Sequence, residues 1–159
     1  PAAHMDWQRP GIMLYGATPF ADLSAQELGL RPAMSLTAQI VAGHEVAAGQ
    51  SVGYGASWVA PRDSRIATVS CGYADGYPRQ APEDTSVWVA GQRAPLVGRV
   101  SMDMLTVDIS AVPEAQLGSA VELWGAQLPV DELAQACGTI GYELLSKVTA
   151  RVPRHYRQC

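Results

Sequence analysis

The chain has 159 residues, nearly half of them apolar, and a net charge of −4. This is enough for one domain with a real core, or one domain with an arm. A single lysine, Lys147, and the absence of any basic run exclude a nucleic-acid surface, and no apolar run is long enough to span a bilayer.

The opening residues have no basic region followed by an apolar block, so they do not read as a secretory signal. The chain begins without methionine and reads as a piece of a longer protein. Its cysteines, Cys71, Cys137 and Cys159, are odd in number and widely spaced. That pattern suits reduced thiols in a cytosol rather than a disulfide framework or a zinc site. The first organised piece, Arg9-Pro10-Gly11-Ile12-Met13-Leu14-Tyr15-Gly16, is an apolar run bounded by glycines and predicts a short buried strand. A loop with about one helical turn follows, reaching Gly29. From Met34 to Val41 apolar and polar side chains alternate, the period of a half-buried strand.

Ala47-Ala48-Gly49-Gln50 is a turn that leads into Ser51-Val52-Gly53-Tyr54-Gly55-Ala56-Ser57-Trp58. Arg65 to Cys71 predicts another strand, entering Gly72-Tyr73-Ala74-Asp75-Gly76-Tyr77-Pro78-Arg79. Val87-Trp88-Val89 and Arg93 to Val97 predict a hairpin around Ala90-Gly91-Gln92. A long strand over Val100 to Ile109 and a short one over Ala120 to Trp124 complete the β pattern. Pro129 then opens a helix over Val130 to Cys137, with Gly138 as terminator. Thr139 is a candidate cap for a second helix over about Tyr142 to Val148. Many short strands followed by a short helical pair predict a mainly β fold, a small antiparallel, Greek-key-like barrel.

Tyr54 stands out on residues alone. Glycine on both sides lets another surface approach closely and suits a phenol held out to donate or accept a proton. A tyrosine packed over a glycine-weakened hairpin fits the same residues. His4, His44 and His155 are dispersed and do not pair with carboxylates at metal spacing. Gly49 to Gly53 lacks the lysine and following helix of a phosphate-cradling loop. Trp58, Trp88 and Trp124 read as core or barrel rim.

Together the motifs carry more than they do singly. Arg9 to Gly16, Val52-Gly53-Tyr54-Gly55-Ala56, Gly72 to Arg79, Gly98-Arg99-Val100-Ser101-Met102-Asp103-Met104, Ile140-Gly141-Tyr142-Glu143 and Arg151-Val152-Pro153-Arg154 stand in an order and spacing that resembles alanine racemase. The resemblance implies an N-terminal (β/α)₈ barrel and a C-terminal β domain. Residues 1–30 would be the end of that barrel and a linker, and residues 31–159 the β domain. It implies pyridoxal 5'-phosphate (PLP) as cofactor, L-alanine and D-alanine as substrates, a homodimer, a bacterial cytoplasm and a supply of D-alanine for peptidoglycan.

Residue by residue, Tyr54 matches the catalytic tyrosine given to the partner subunit's site, acting on the α-proton of L-alanine. Arg9 matches the arginine facing the pyridine nitrogen. Gly11 and Ile12 match backbone donors to the cofactor phosphate, and Tyr142 matches a tyrosine whose hydroxyl meets that phosphate. Met102 matches the residue whose N–H meets the substrate carboxylate across the dimer. Tyr73, Arg79 and Arg99 match the channel to the site. The family's Schiff-base lysine belongs near the start of the barrel, outside these motifs, and Lys147 matches none of them. On this reading the 159 residues by themselves are inactive, and Tyr54 and Met102 share one exposed face. A stand-alone β-barrel binding module without catalysis is the alternative.

Overall fold

In the computed structural model, which describes residues 6–157, eight strands, three 3₁₀ turns and two α-helices follow one another. His4 and Cys159 lie outside the described residues. The organising element is β1, Leu36–Val46. Its first half pairs antiparallel with β8, Ala120–Trp124, and its second half with β4, Ser64–Val69. The partner changes between Gln39 and Ile40, beside a register shift at Ile40/Ala42, and a second shift at Leu36/Thr37 lies at the start of the β8 pairing. Bulges of this kind increase the local twist and help a sheet to curl.

The six-stranded sheet runs β6-β5-β8-β1-β4-β7, where β5 is Ser86–Val89, β6 is Gln92–Pro95 and β7 is Leu105–Asp108. Its two edges meet through the Leu96–Val107 bridge and a Val97 N–H donated to the Thr106 carbonyl at 2.9 Å. Closure leaves little unpaired edge to template aggregation. The predicted hairpin is β5–β6. Its turn residues Ala90 and Gly91 both have positive φ, 47° and 83°, the conformation that matches strand twist in a two-residue turn. Inside the barrel Ile40, Val69, Val87, Val89, Leu105, Val107, Val121 and Leu123 are buried together with Trp124. Trp124 stacks on Tyr77 with ring centroids 6.5 Å apart.

A second, smaller cluster of Val46, Val52, Ala60, Ile66 and Val97, with Trp58 packed on it, sits beneath the two-stranded ribbon of β2 (Ser51–Val52) and β3 (Trp58–Val59). The barrel is capped at one side by α1, Val130–Ala136, and α2, Gly141–Lys147. Gly138 ends α1 with φ +66°, as its position after the helical run predicts. Thr139 does not cap α2. Ile140 holds the N-cap position without a side-chain bond, and the Thr139 hydroxyl goes to the Glu143 carboxylate instead.

Two predicted strands take other forms. Gly11–Tyr15 is a 3₁₀ helix, entered at Gly11 with φ +61° and closed at Gly16 with φ +77°. Among the described residues no strand pairs with it. Its backbone is satisfied locally, by Met13 N–H to Pro10 O at 3.3 Å and Gly16 N–H to Met13 O at 3.0 Å. One apolar side chain, Ile12, enters the main core, a burial worth about 2 kcal/mol. The other is Val100 to Ile109, which becomes strand only from Leu105. Residues 101–104 form a turn instead, with Ser101 N–H donated to Met104 O at 2.8 Å and Met104 N–H to Ser101 Oγ at 3.1 Å.

Candidate functional site

The candidate residues fall into two groups joined by α2. The first gathers at the start of that helix. Gly141, buried there, faces Ile12: a Cβ on it would lie 2.9 Å from Ile12 Cδ1 and 3.1 Å from Asp131 Oδ1. Asp131 in turn accepts the Thr18 N–H at 2.9 Å, which docks the N-terminal arm on the helical pair. This packing brings Tyr142 over the 3₁₀ turn, and Ile12 donates its N–H to the Tyr142 hydroxyl at 3.3 Å. Gly11 has φ +61°, backbone that favours glycine, and a Cβ on it would stand 2.7 Å from the same hydroxyl and push it aside. In this bond the hydroxyl is the acceptor, so its own proton stays available. Tyr142 and Gly11 are exposed, and Arg9 is exposed just ahead of the turn. Gly11 and Tyr142 therefore lie open together, over a buried Ile12 whose N–H is given to the Tyr142 hydroxyl.

The second group lies at the other end of α2, about 9 Å along its axis at 1.5 Å per residue. There Gly76, with φ +109°, nestles against the Lys147 carbonyl. Gly76 closes the short 3₁₀ turn Tyr73–Asp75. The Asp75 carboxylate accepts the Gly72 N–H at 2.9 Å, and Tyr73 and Ala74 donate their N–H groups to the Ser101 and Met102 carbonyls at 3.0 and 2.9 Å. Thr149 binds back with its N–H on Asp75 O and its hydroxyl on Ala74 O. Met102, 53% exposed, is thus fixed by its carbonyl, while among the described residues its N–H has no partner.

Tyr54 joins this group through the same segment. Its loop is anchored by Val52 and Trp58 in the smaller cluster and rises as a tight turn with Gly53, Gly55 and Ala56 all at positive φ. Glycine adopts this backbone without penalty, whereas Ala56 carries some strain. The turn leans on the Gly98–Arg99 backbone, with the Arg99 guanidinium against Gly55. Tyr54 itself projects outward, 72% exposed. Residues 98–102 therefore carry Arg99 beside Tyr54 and Met102 beside Tyr73. Arg79 is exposed farther along the Tyr73 loop.

Lys147 stands in the last turn of α2 and pairs with Glu143 at 2.5 Å. Cys71 enters the Gly72 turn buried, and burial, helped by the Asp75 charge, pushes its thiol up to about 12. It is therefore no nucleophile at neutral pH. The sequence reading assigned nothing to Asp75, Arg151 or Thr149. The signals present were the carboxylate inside the Gly72–Arg79 motif and the arginine opening the last motif.

A nearly closed antiparallel barrel, capped by two short helices and displaying a tyrosine on a glycine-flanked turn, defines the class of domain. The chain belongs to the alanine racemase family: the model of "Alanine racemase, C-terminal domain" matches residues 33–156. It is 74% identical to the alanine racemase of Stutzerimonas stutzeri over 98% of this chain and 44% of that protein. It is 73% identical to the biosynthetic alanine racemase of Pseudomonas aeruginosa, again over 98% of this chain and 44% of that protein. The crystal structure of the biosynthetic P. aeruginosa enzyme superimposes with a TM-score of 0.96 at 72% identity, covering 99% of this chain and 44% of that one. A Bartonella henselae alanine racemase, solved with covalently bound pyridoxal phosphate, gives a TM-score of 0.82 at 33% identity, covering 92% of this chain and 40% of that one. The chain thus spans less than half the length of these relatives.

Proposed function

We propose that this chain is the C-terminal part of a PLP-dependent alanine racemase that interconverts L- and D-alanine, supplying D-alanine for peptidoglycan in a bacterial cytoplasm. The observation that carries the reading is its identity of 74% and 73%, over 98% of its length, to proteins named alanine racemase. Residues 1–30 are assigned to the end of a preceding (β/α)₈ barrel and its linker, and residues 31–159 to the β domain. The partners are that barrel and a second copy of the whole protein.

The donor cluster fits the cofactor. A phosphate oxygen near Gly11 would meet no side chain from that residue and would lie beside the Tyr142 hydroxyl. It would receive the Gly11 N–H and the spare proton of the Tyr142 hydroxyl, and the Ile12 N–H once that bond passes from the hydroxyl to the phosphate, the kind of backbone concavity that holds anions. Arg9 would meet the pyridine nitrogen, where a guanidinium serves as a hydrogen-bond donor. PLP, when bound, delocalises the electron pair left at the substrate α-carbon. Racemisation then needs acid/base groups on both faces of that carbon.

Tyr54, contributed to the partner's site, takes the α-proton of L-alanine on one face and returns a proton there when D-alanine reacts. The barrel's lysine serves the other face. The Met102 N–H donates to the substrate carboxylate, and Tyr73, Arg79 and Arg99 narrow the approach and favour a small anionic substrate.

The test is Tyr54→Phe in the full-length enzyme, following α-hydrogen isotope exchange of each enantiomer separately. Exchange from L-alanine should slow by about 10²- to 10⁴-fold, far more than exchange from D-alanine, while overall turnover falls in both directions. Equal losses would make Tyr54 a positioning residue. A folded full-length protein that leaves both enantiomers untouched would favour the binding-module alternative.

A further inference from the structure

The Met102 segment is held from below by more than backbone bonds. Arg151 places Nε 3.1 Å from Asp75 Oδ1 and a terminal guanidinium nitrogen 2.7 Å from Asp103 Oδ1. It therefore bridges two carboxylates belonging to different loops. Asp75 already receives the Gly72 N–H at 2.9 Å, and the turn it organises holds the Ser101 and Met102 carbonyls. Asp103 is the residue next to Met102. One guanidinium thus links the turn that carries Tyr73 to the loop that carries Met102. The tail that delivers it is tied to the same turn by Thr149.

We propose that Arg151 is a positioning residue for substrate affinity: by bridging Asp75 and Asp103 it fixes the Ser101–Asp103 loop, and with it the direction of the Met102 N–H. The inference rests on the reading of Met102 as the carboxylate donor. Arginine suits the task because its planar fork addresses two acceptors at once, which a lysine ammonium does with less geometric control. Its removal does more than lose two bonds, since Asp75 and Asp103 then face each other with no counter-charge between them. The loop that moves in response is the exposed one bearing Asp103, because the Asp75 turn is gripped by Thr149 and Lys147.

The experiment uses the full-length enzyme and compares wild type, Arg151→Gln, Arg151→Lys, Asp103→Asn and the double variant Arg151→Gln/Asp103→Asn. Arg151→Gln should raise KM for both alanine enantiomers roughly five- to tenfold, with kcat within about threefold, a loss of binding shared by ground and transition states. Arg151→Lys should recover part of the loss. The double variant should bind alanine better than Arg151→Gln alone, because Asp103→Asn removes the exposed repulsion. A merely structural arginine has no reason to show that reversal of sign.

Amide hydrogen exchange supplies a readout independent of activity. In Arg151→Gln, uptake should rise in residues 98–104 while β1 and β4 stay protected. If the wild type racemises alanine but Arg151→Gln leaves KM and loop exchange unchanged, or lowers kcat and melting temperature together without local exchange, the positioning role is overturned and the functional reading stands. If the wild type does not racemise alanine, the functional reading falls. The exchange of residues 98–104 then decides the bridge alone, an unchanged loop overturning it. Should Arg151→Gln fail to fold, Asp103→Asn, altering an exposed side chain, must show a smaller KM rise and the same local uptake. Its absence overturns the proposal.

Discussion

Gly72 sits directly beneath the loop that carries Met102. The space a side chain would fill there is taken by two carbonyl oxygens, since a Cβ would lie 2.4 Å from both Ser101 O and Met102 O. Those atoms belong to backbone that is itself bonded to Tyr73 and Ala74, so they cannot swing aside as a flexible side chain would. The φ of Gly72 is −144°, ordinary extended backbone, so the requirement is close approach alone. Gly72→Ala should therefore cost about 1–3 kcal/mol, the usual penalty of overpacking, and should also shift the Met102 loop. Thermal unfolding and alanine KM, measured together in the full-length enzyme, check both parts. A variant with unchanged melting temperature and KM would mean that the loop yields freely. Tyr54 shows what a single residue can reveal in advance. Its flanking glycines left open a phenol held out and one packed over the hairpin, and it stands 72% exposed on a turn that leans on the Gly98–Arg99 backbone. Its chemistry came only through the resemblance, because a phenol on a glycine turn suits packing as well as proton transfer.

At the level of elements, legibility followed whether the decisive partners lie nearby in sequence. The β5–β6 hairpin and α1 were readable because Ala90-Gly91, Pro129 and Gly138 dictate local backbone. The run Gly11–Tyr15 and the stretch after Val100 were misread because apolar composition does not say whether a neighbouring strand exists. The Asp75–Arg151–Asp103 bridge was invisible for the same reason, its members meeting only in the folded chain. The clasp between β6 and α1 is another such pairing. Arg93 and Glu132 form a two-pronged ion pair, one arm at 2.9 Å, with both side chains close to half exposed. The Arg93 hydrogen bond holds the Glu132 carboxyl below its ordinary range. The folded state therefore binds fewer protons than the unfolded one in acid. The contribution is present above the ordinary carboxylate range and is lost as pH falls through the lowered value. Exposure and salt screening limit it to about 0.3–1 kcal/mol. Urea midpoints of wild type and Glu132→Gln should differ at about pH 7, and the gap should shrink steadily as the pH is lowered through the acid range. A gap that persists in acid would mean that packing, and not charge, joins β6 to α1.

At the scale of the whole molecule, the barrel closes on itself, yet both groups of candidate residues open outward. Gly11 and Tyr142 present donors at one end of α2, while Tyr54, Tyr73 and Met102 present exposed apolar bulk beyond the other. Neither group is a complete site. The first lacks an amine to hold a cofactor covalently, and the single lysine, Lys147, lies at the far end of α2 paired with Glu143. The second, on the proposed function, would supply through Tyr54 one acid/base group where racemisation requires two. Because the chain covers 44% of the length of its alanine racemase relatives, the missing parts are assigned to the remaining length and to a second subunit. The 159 residues produced alone should thus fold as the β domain and bind PLP weakly, without the absorbance of a lysine-linked cofactor. They should leave L- and D-alanine unchanged. Their exposed apolar side chains, including Leu14, Tyr15, Phe20, Tyr54, Met102 and Ile140, should drive association that grows with concentration, which sedimentation at several loadings will register. Joined in one chain to the preceding segment proposed to be a (β/α)₈ barrel, the same domain should racemise alanine. Measurable racemisation by the 159 residues alone would place both acid/base groups within this chain and overturn the division of labour between barrel, β domain and partner subunit.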